Sequence, residues 1–168
     1  MGLRPWRQRV GEPLVGSEVL SRIGNASTLV QHFGYWPSFE DAELISLEFH
    51  RGNHMEVSSS GNWDGRIPET LTATFYVFAT EADPESEGRR PAHASLAFSV
   101  LRAVSIEGLN YQNPIQGLGV HVEQVAGFRS PFFRVNWGGT SFHHEVSILC
   151  GSMSVRDLRP IRSITTRS

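Results

Sequence analysis

From Ile45 onward the chain alternates apolar and polar residues in short runs, and this period of two is the feature that most constrains its fold. Side chains point to opposite faces of a strand in turn, so such alternation marks strands with one buried face. Ile45, Leu47 and Phe49 share one face, with Ser46 and Glu48 on the other. Leu71, Ala73, Phe75, Val77 and Ala79 form the next face, opposed by Thr72 and Thr74. Leu96, Phe98 and Val100 follow, and after a break Val104 and Ile106. Leu118, Val120 and Val122 make another strand. Phe133, Val135 and Trp137 then lead through Gly138-Gly139, a hairpin signal, into Phe142, His144, Val146, Ile148 and Cys150.

Between these runs lie turn signals: Gly52-Asn53, Gly61-Asn62, an acidic loop from Glu81 to Pro91, and an Asn- and Gly-rich stretch from Gly108 to Pro114. Upstream, Val19, Ile23, Ala26, Val30 and Phe33 recur at alternating four- and three-residue steps, which is helix spacing. Gly24-Asn25 offers a break there, with Asn25 capping a shorter helix that stops at Gly34. The fold expected is mainly β (α+β): an antiparallel sheet or two-layer β architecture of about seven strands, with one N-terminal helix packed on it. Sandwich, barrel and curved sheet stay open. Residues 1–16, rich in Arg, Gly and Pro, read as a loose arm, 17–162 as one domain, and 163–168 as a tail.

Size agrees with one domain, since 168 residues can bury a sizeable core. No apolar run is long enough to cross a bilayer as a helix. Met1–Pro13 carries Arg4, Arg7 and Arg9 with no apolar stretch behind them, unlike a secretory signal, and Trp6 spoils a myristoylation pattern. A cytoplasmic location and no membrane partner are expected. Cys150 is the single cysteine, so neither an internal disulfide nor a thiolate metal cluster can form.

The net charge is -2, which disfavours a nucleic-acid partner. All fifteen basic residues are arginine. Residues 1–9 and 150–168 each carry +3, leaving -8 on the body between them. An acidic body speeds encounter with a basic partner, although a solvated acidic surface gives the same charge pattern.

No phosphate-binding glycine loop, G-x-S-x-G elbow or His-Glu-x-x-His is present. His50 and His54 flank a turn and read as exposed loop histidines rather than metal ligands. His143 and His144 point to opposite faces of a strand, and His144 reads as a hydrogen-bonded core residue. No metal or cofactor is expected. Glu40, Asp41 and Glu43 form the densest early acidic cluster. Neighbouring acids on a turn cap backbone amides or face water, and they also serve to meet cations on a partner. Trp36 and Phe39, either side of Pro37-Ser38, read as a lock on the core, while Tyr35 is open between core and interface.

The stretch Phe33-Gly34-Tyr35-Trp36-Pro37-Ser38-Phe39-Glu40-Asp41-Ala42-Glu43-Leu44 resembles the signature of the bacterial polymorphic-toxin immunity protein 50 family, Phe-Gly-x-Trp-Pro-Ser-Phe-His-Asp-Ala-Glu before an aliphatic residue and a strand. Leu109-Asn110-Tyr111-Gln112-Asn113-Pro114-Ile115 is similar to the family's asparagine-containing turn, and Met153-Ser154-Val155 after Cys150 fits its layout. The likeness covers roughly residues 20–160. It departs at Glu40, where the family usually has His, so any specificity or chemistry of that His is in question here.

The resemblance implies an immunity protein that neutralises a cognate toxin domain by stoichiometric binding, and the acidic body suits a basic toxin. Candidate contacts are Tyr35, Glu40, Asp41, Glu43, Glu81, Asp83, Glu85 and Glu87, with Trp36, Pro37, Phe39 and Asn113 as the structural motif. Two alternatives from other classes are a small enzyme using Glu40 or Asp41 with a histidine, and a β domain holding a small apolar ligand.

Overall fold

Thr70–Val77 (β4) shows how the alternation is used: Leu71, Ala73, Phe75 and Val77 are buried on one side. In the computed structural model, which describes residues 15–52, 56–57, 63–64, 69–78, 91–109, 113–139 and 144–161, this strand belongs to a six-stranded antiparallel open sheet. Its other strands are Glu43–His50 (β1), Ala92–Glu107 (β5), Leu118–Glu123 (β6), Phe132–Gly139 (β7) and His144–Pro160 (β8), in the order β1-β4-β5-β8-β7-β6. Glu56–Val57 (β2) and Trp63–Asp64 (β3) pair only with each other.

β5 and β8 are twice the length of the rest, and each serves two neighbourhoods. β4 pairs with β5 only as far as Ser99, and β7 pairs with β8 only as far as Cys150. Between those limits the ladder slips at Leu101/Ala103, and Val100 takes a left-handed φ of 56°. Gly151 lies against it, where an added Cβ would come within 3.0 Å of the Val100 Cβ. Bulges bend and twist a sheet, and this one folds its two halves toward each other. Phe75 on β4 and Trp137 on β7 are three strands apart, about 14 Å on a flat sheet. Their ring centroids lie 5.3 Å apart. The concave side therefore closes on itself around Phe39, Phe75, Phe98 and Trp137.

The expected single helix is two short ones, Ser17–Arg22 (α1) and Ala26–Phe33 (α2), and Gly24-Asn25 is the break. Gly24 is there for contact with β8: its N–H donates to Met153 O at 2.9 Å and its carbonyl accepts from Val155 N at 2.8 Å. Asn25 is left-handed (φ 56°), and its amide donates to Val155 O rather than capping α2. α2 buries Leu29 and Phe33 and ends at left-handed Gly34, as expected.

Three strand-level expectations need correction. Ile45 is 51% exposed, because a bulge between Leu44 and Ser46 hands the inward position to Leu44. The break read after Val100 is the bulge inside one strand. The last strand runs on past Cys150 to Pro160. Val15, read as part of the loose arm, is 1% exposed and belongs to the core. No helix among the described residues is long and apolar enough to cross a membrane.

Candidate functional site

Residues 36–44 run from the helical layer into β1, and Trp36, Pro37, Phe39, Ala42 and Leu44 all point inward. Phe39 is fully packed, with its ring 5.3 Å from Phe75 and 6.1 Å from Trp36 between centroids. A tight turn follows, closed by Ala42 N donating to Phe39 O at 3.1 Å. Glu40 and Asp41 are its two central residues, and both are exposed.

The backbone at this turn is strained on both sides of Glu40. Phe39 has φ 59° and Asp41 φ 61°, in the left-handed region. For a bulky side chain such as Phe that conformation is a true outlier, costing on the order of 1–2 kcal/mol. Positive φ at Asp41 alone is what the third position of a type II turn demands, where Gly or Asn is usual. Ser38 adds support, its hydroxyl accepting from Glu40 N at 3.1 Å.

What holds this shape is a strap, residues 113–118, lying antiparallel beside the turn. Asp41 N donates to Ile115 O at 2.9 Å, Ile115 N to Ala42 O at 2.8 Å, and Leu44 N to Asn113 O at 3.0 Å. Glu43 and Pro114 form a β-bridge between them. At the other end of the strap, Gln116 N donates to Gly138 O and Leu118 N to Ser38 O. The strap thus ties edge strand β1 to β6 and β7 at one end of the open sheet. Ile115 is 1% exposed and belongs to the hydrophobic core. Residues 41–44 and 113–115 are in this way one structural unit.

Of the expected contact residues, Glu40 and Asp41 are exposed and their carboxylates make no hydrogen bond or ion pair among the described residues. Glu43 is half-buried, paired with Tyr76 across the ladder. Tyr35 is half-buried and engaged with a neighbour. Glu81, Asp83, Glu85 and Glu87 lie outside the described residues. Trp36, Pro37, Phe39 and Asn113 are all buried. Sequence reasoning missed Ile115 and the strap as the clamp; the signal was the Pro114-Ile115 pair at the end of the second motif.

His144 is 2% exposed, as its apolar neighbours implied, but among the described residues neither ring nitrogen has the expected hydrogen-bond partner. Burial without compensation pushes its pKa down. The indole nitrogens of Trp36 and Trp137 are likewise buried, with no partner among the described residues. His50 lines a groove of about 490 Å³ with Glu48, Phe49, Thr70, Thr72, Ala97 and Arg156. There Arg156 Nη1 donates to Thr72 Oγ1 at 3.2 Å. No group of three His, Cys, Asp or Glu among the described residues is placed to hold a metal. Cys150 is buried, which pushes its thiol up to about 12.

Comparison with known proteins gave no match: no family model fits the chain, and neither curated proteins nor solved structures produced a significant similarity.

Proposed function

We propose that this chain is an immunity protein that neutralises a bacterial toxin domain by binding it stoichiometrically, and that the Glu40-Asp41 turn is presented to that partner. The observation that carries the reading is the strained turn itself. Left-handed non-glycine residues persist only where the surrounding structure over-determines them, and such places are drawn disproportionately from functional sites. Here left-handed Phe39 and Asp41 bracket Glu40, and the exposed carboxylates of Glu40 and Asp41 have no partner among the described residues. Unpaired acids on a rigid support lose little conformational entropy on meeting a cation of a partner, which favours affinity. The acidic body of the chain would speed encounter with a basic toxin. The resemblance of residues 33–44 to an immunity-family signature supports the same reading.

Neutralisation by occlusion needs slow dissociation, so a nanomolar or tighter complex is expected, about -12 kcal/mol. Co-expression with the toxin domain encoded beside this gene tests the proposal through survival and co-purification. Rescue with a complex of fixed stoichiometry is the expected result. Absence of both rescue and complex would overturn it.

A further inference from the structure

We propose that the end of β5, Ala103–Glu107, pairs with the same segment of a second copy of this chain, forming a two-fold antiparallel ribbon centred on Ser105. β4 leaves β5 at Ser99, whereas β8 continues beside it to Glu107, so among the described residues 103–107 have a strand neighbour on one side only. An unpaired row of backbone donors and acceptors is a template for another strand. Nearby apolar side chains are uncovered as well: Val104 is 39% exposed and Ile106 44%.

The occupant follows from register. Two identical antiparallel strands related by a two-fold axis must pair residues whose numbers sum to an even value, so that side chains share faces. Pairing centred on Ser105 uses only the flat stretch beyond the Leu101/Ala103 bulge. It sets Val104 of each copy opposite Ile106 of the other, on the face these residues share with buried Ile148 and Val146. Four exposed apolar side chains then cover one another as an extension of the core. Ala103 stands opposite Glu107, so no like charges meet. The two Glu107 carboxylates lie four steps apart along the ribbon, about 13 Å, beyond the screening length of about 8 Å in physiological salt. The Arg102 guanidinium is held away from the ribbon, 4.4 Å over the Phe128 ring. Centring on Val104 instead would put Leu101 against Glu107 and bring the bulge into the ribbon.

Five residues a side make a small interface, so the dimer should be weak and visible only at high concentration. Sedimentation of the full chain over rising concentration is expected to show a monomer becoming a dimer. Ser105→Lys, which places two ammonium groups across the axis, should abolish the dimer while leaving the circular dichroism unchanged. Ser105→Cys should give a covalent dimer under mild oxidation, since residues facing each other across strands have Cα separations that a disulfide spans. Ser21→Cys on the exposed part of α1 is the control, and buried Cys150 should not interfere. A chain that stays monomeric at every concentration overturns the proposal. So does a dimer indifferent to Ser105→Lys, which would use another surface, or an edge protected from hydrogen exchange only by the toxin domain.

Discussion

Asp41 donates its backbone N–H to the carbonyl of Ile115 across 2.9 Å, joining two segments that are more than seventy residues apart in sequence. Ile115 returns the bond to Ala42, and its side chain is buried in the core. The shape of the acidic turn is therefore set by a residue on another segment.

Truncating that residue should damage both stability and binding. Ile115→Ala removes a fully buried branched side chain, and a loss of about 2–5 kcal/mol is expected in urea denaturation. Toxin affinity should also fall in this variant under conditions where it stays folded. A loss of stability with wild-type affinity would show that the strap does not position the turn.

The turn's left-handed residue allows shape and charge to be separated. Asp41→Gly keeps the conformation, relieves strain and removes the carboxylate, so stability should hold or rise by up to about 1 kcal/mol. Asp41→Val forces a β-branched residue into the same φ and should cost about 1–2 kcal/mol. Thermal melting of the pair tests this, and equal melting temperatures would contradict the assigned backbone.

His144 gives the fold an acid-sensitive element. Its folded pKa is lowered by burial, so the unfolded chain binds its proton first as pH falls. The neutral-form advantage is fully present above the ordinary histidine pKa of about 6.5 and is lost below it, at no more than about 1.4 kcal/mol per pH unit. His144→Phe should flatten the stability profile between pH 6.5 and the folded pKa. Denaturant titrations at several pH values check it, and an unchanged slope would rule out this residue as the cause.

Cys150 should be inert in the folded protein. Its thiol is buried and pushed up to about 12, and the thiolate is the reactive form. A thiol reagent at neutral pH should label it only after denaturant is added. Rapid labelling of the native chain would mean that this part of the core opens.

Much of the sheet was readable in advance because one buried face imposes a period of two, as at Leu71–Val77 and Phe133–Trp137. The α2 boundaries were readable for a related reason, since Gly34 is suited to a left-handed helix end. Features that depend on long-range fit were not. The Leu44/Ser46 bulge shifts Ile45 outward without altering the local alternation. The Val100–Gly151 bend looked like a break because its cause lies on a strand fifty residues away. At the candidate site the acidic pair was visible as composition, but the left-handed φ values of Phe39 and Asp41 arise from packing on Phe75 and clamping by Ile115. His144 lies in the core, as its apolar neighbours predict. Its lack of a partner depends on what surrounds it in space, and no local pattern records that.

The most direct test of the central claim is the affinity of the purified toxin domain for the wild-type chain and for Glu40→Gln and Asp41→Gly, measured by calorimetry at constant salt. If the turn is presented to the toxin, both variants should stay folded and bind at least about tenfold more weakly, a loss of about 1.4 kcal/mol or more. Wild-type affinity in both variants would contradict the account and place the toxin on another surface.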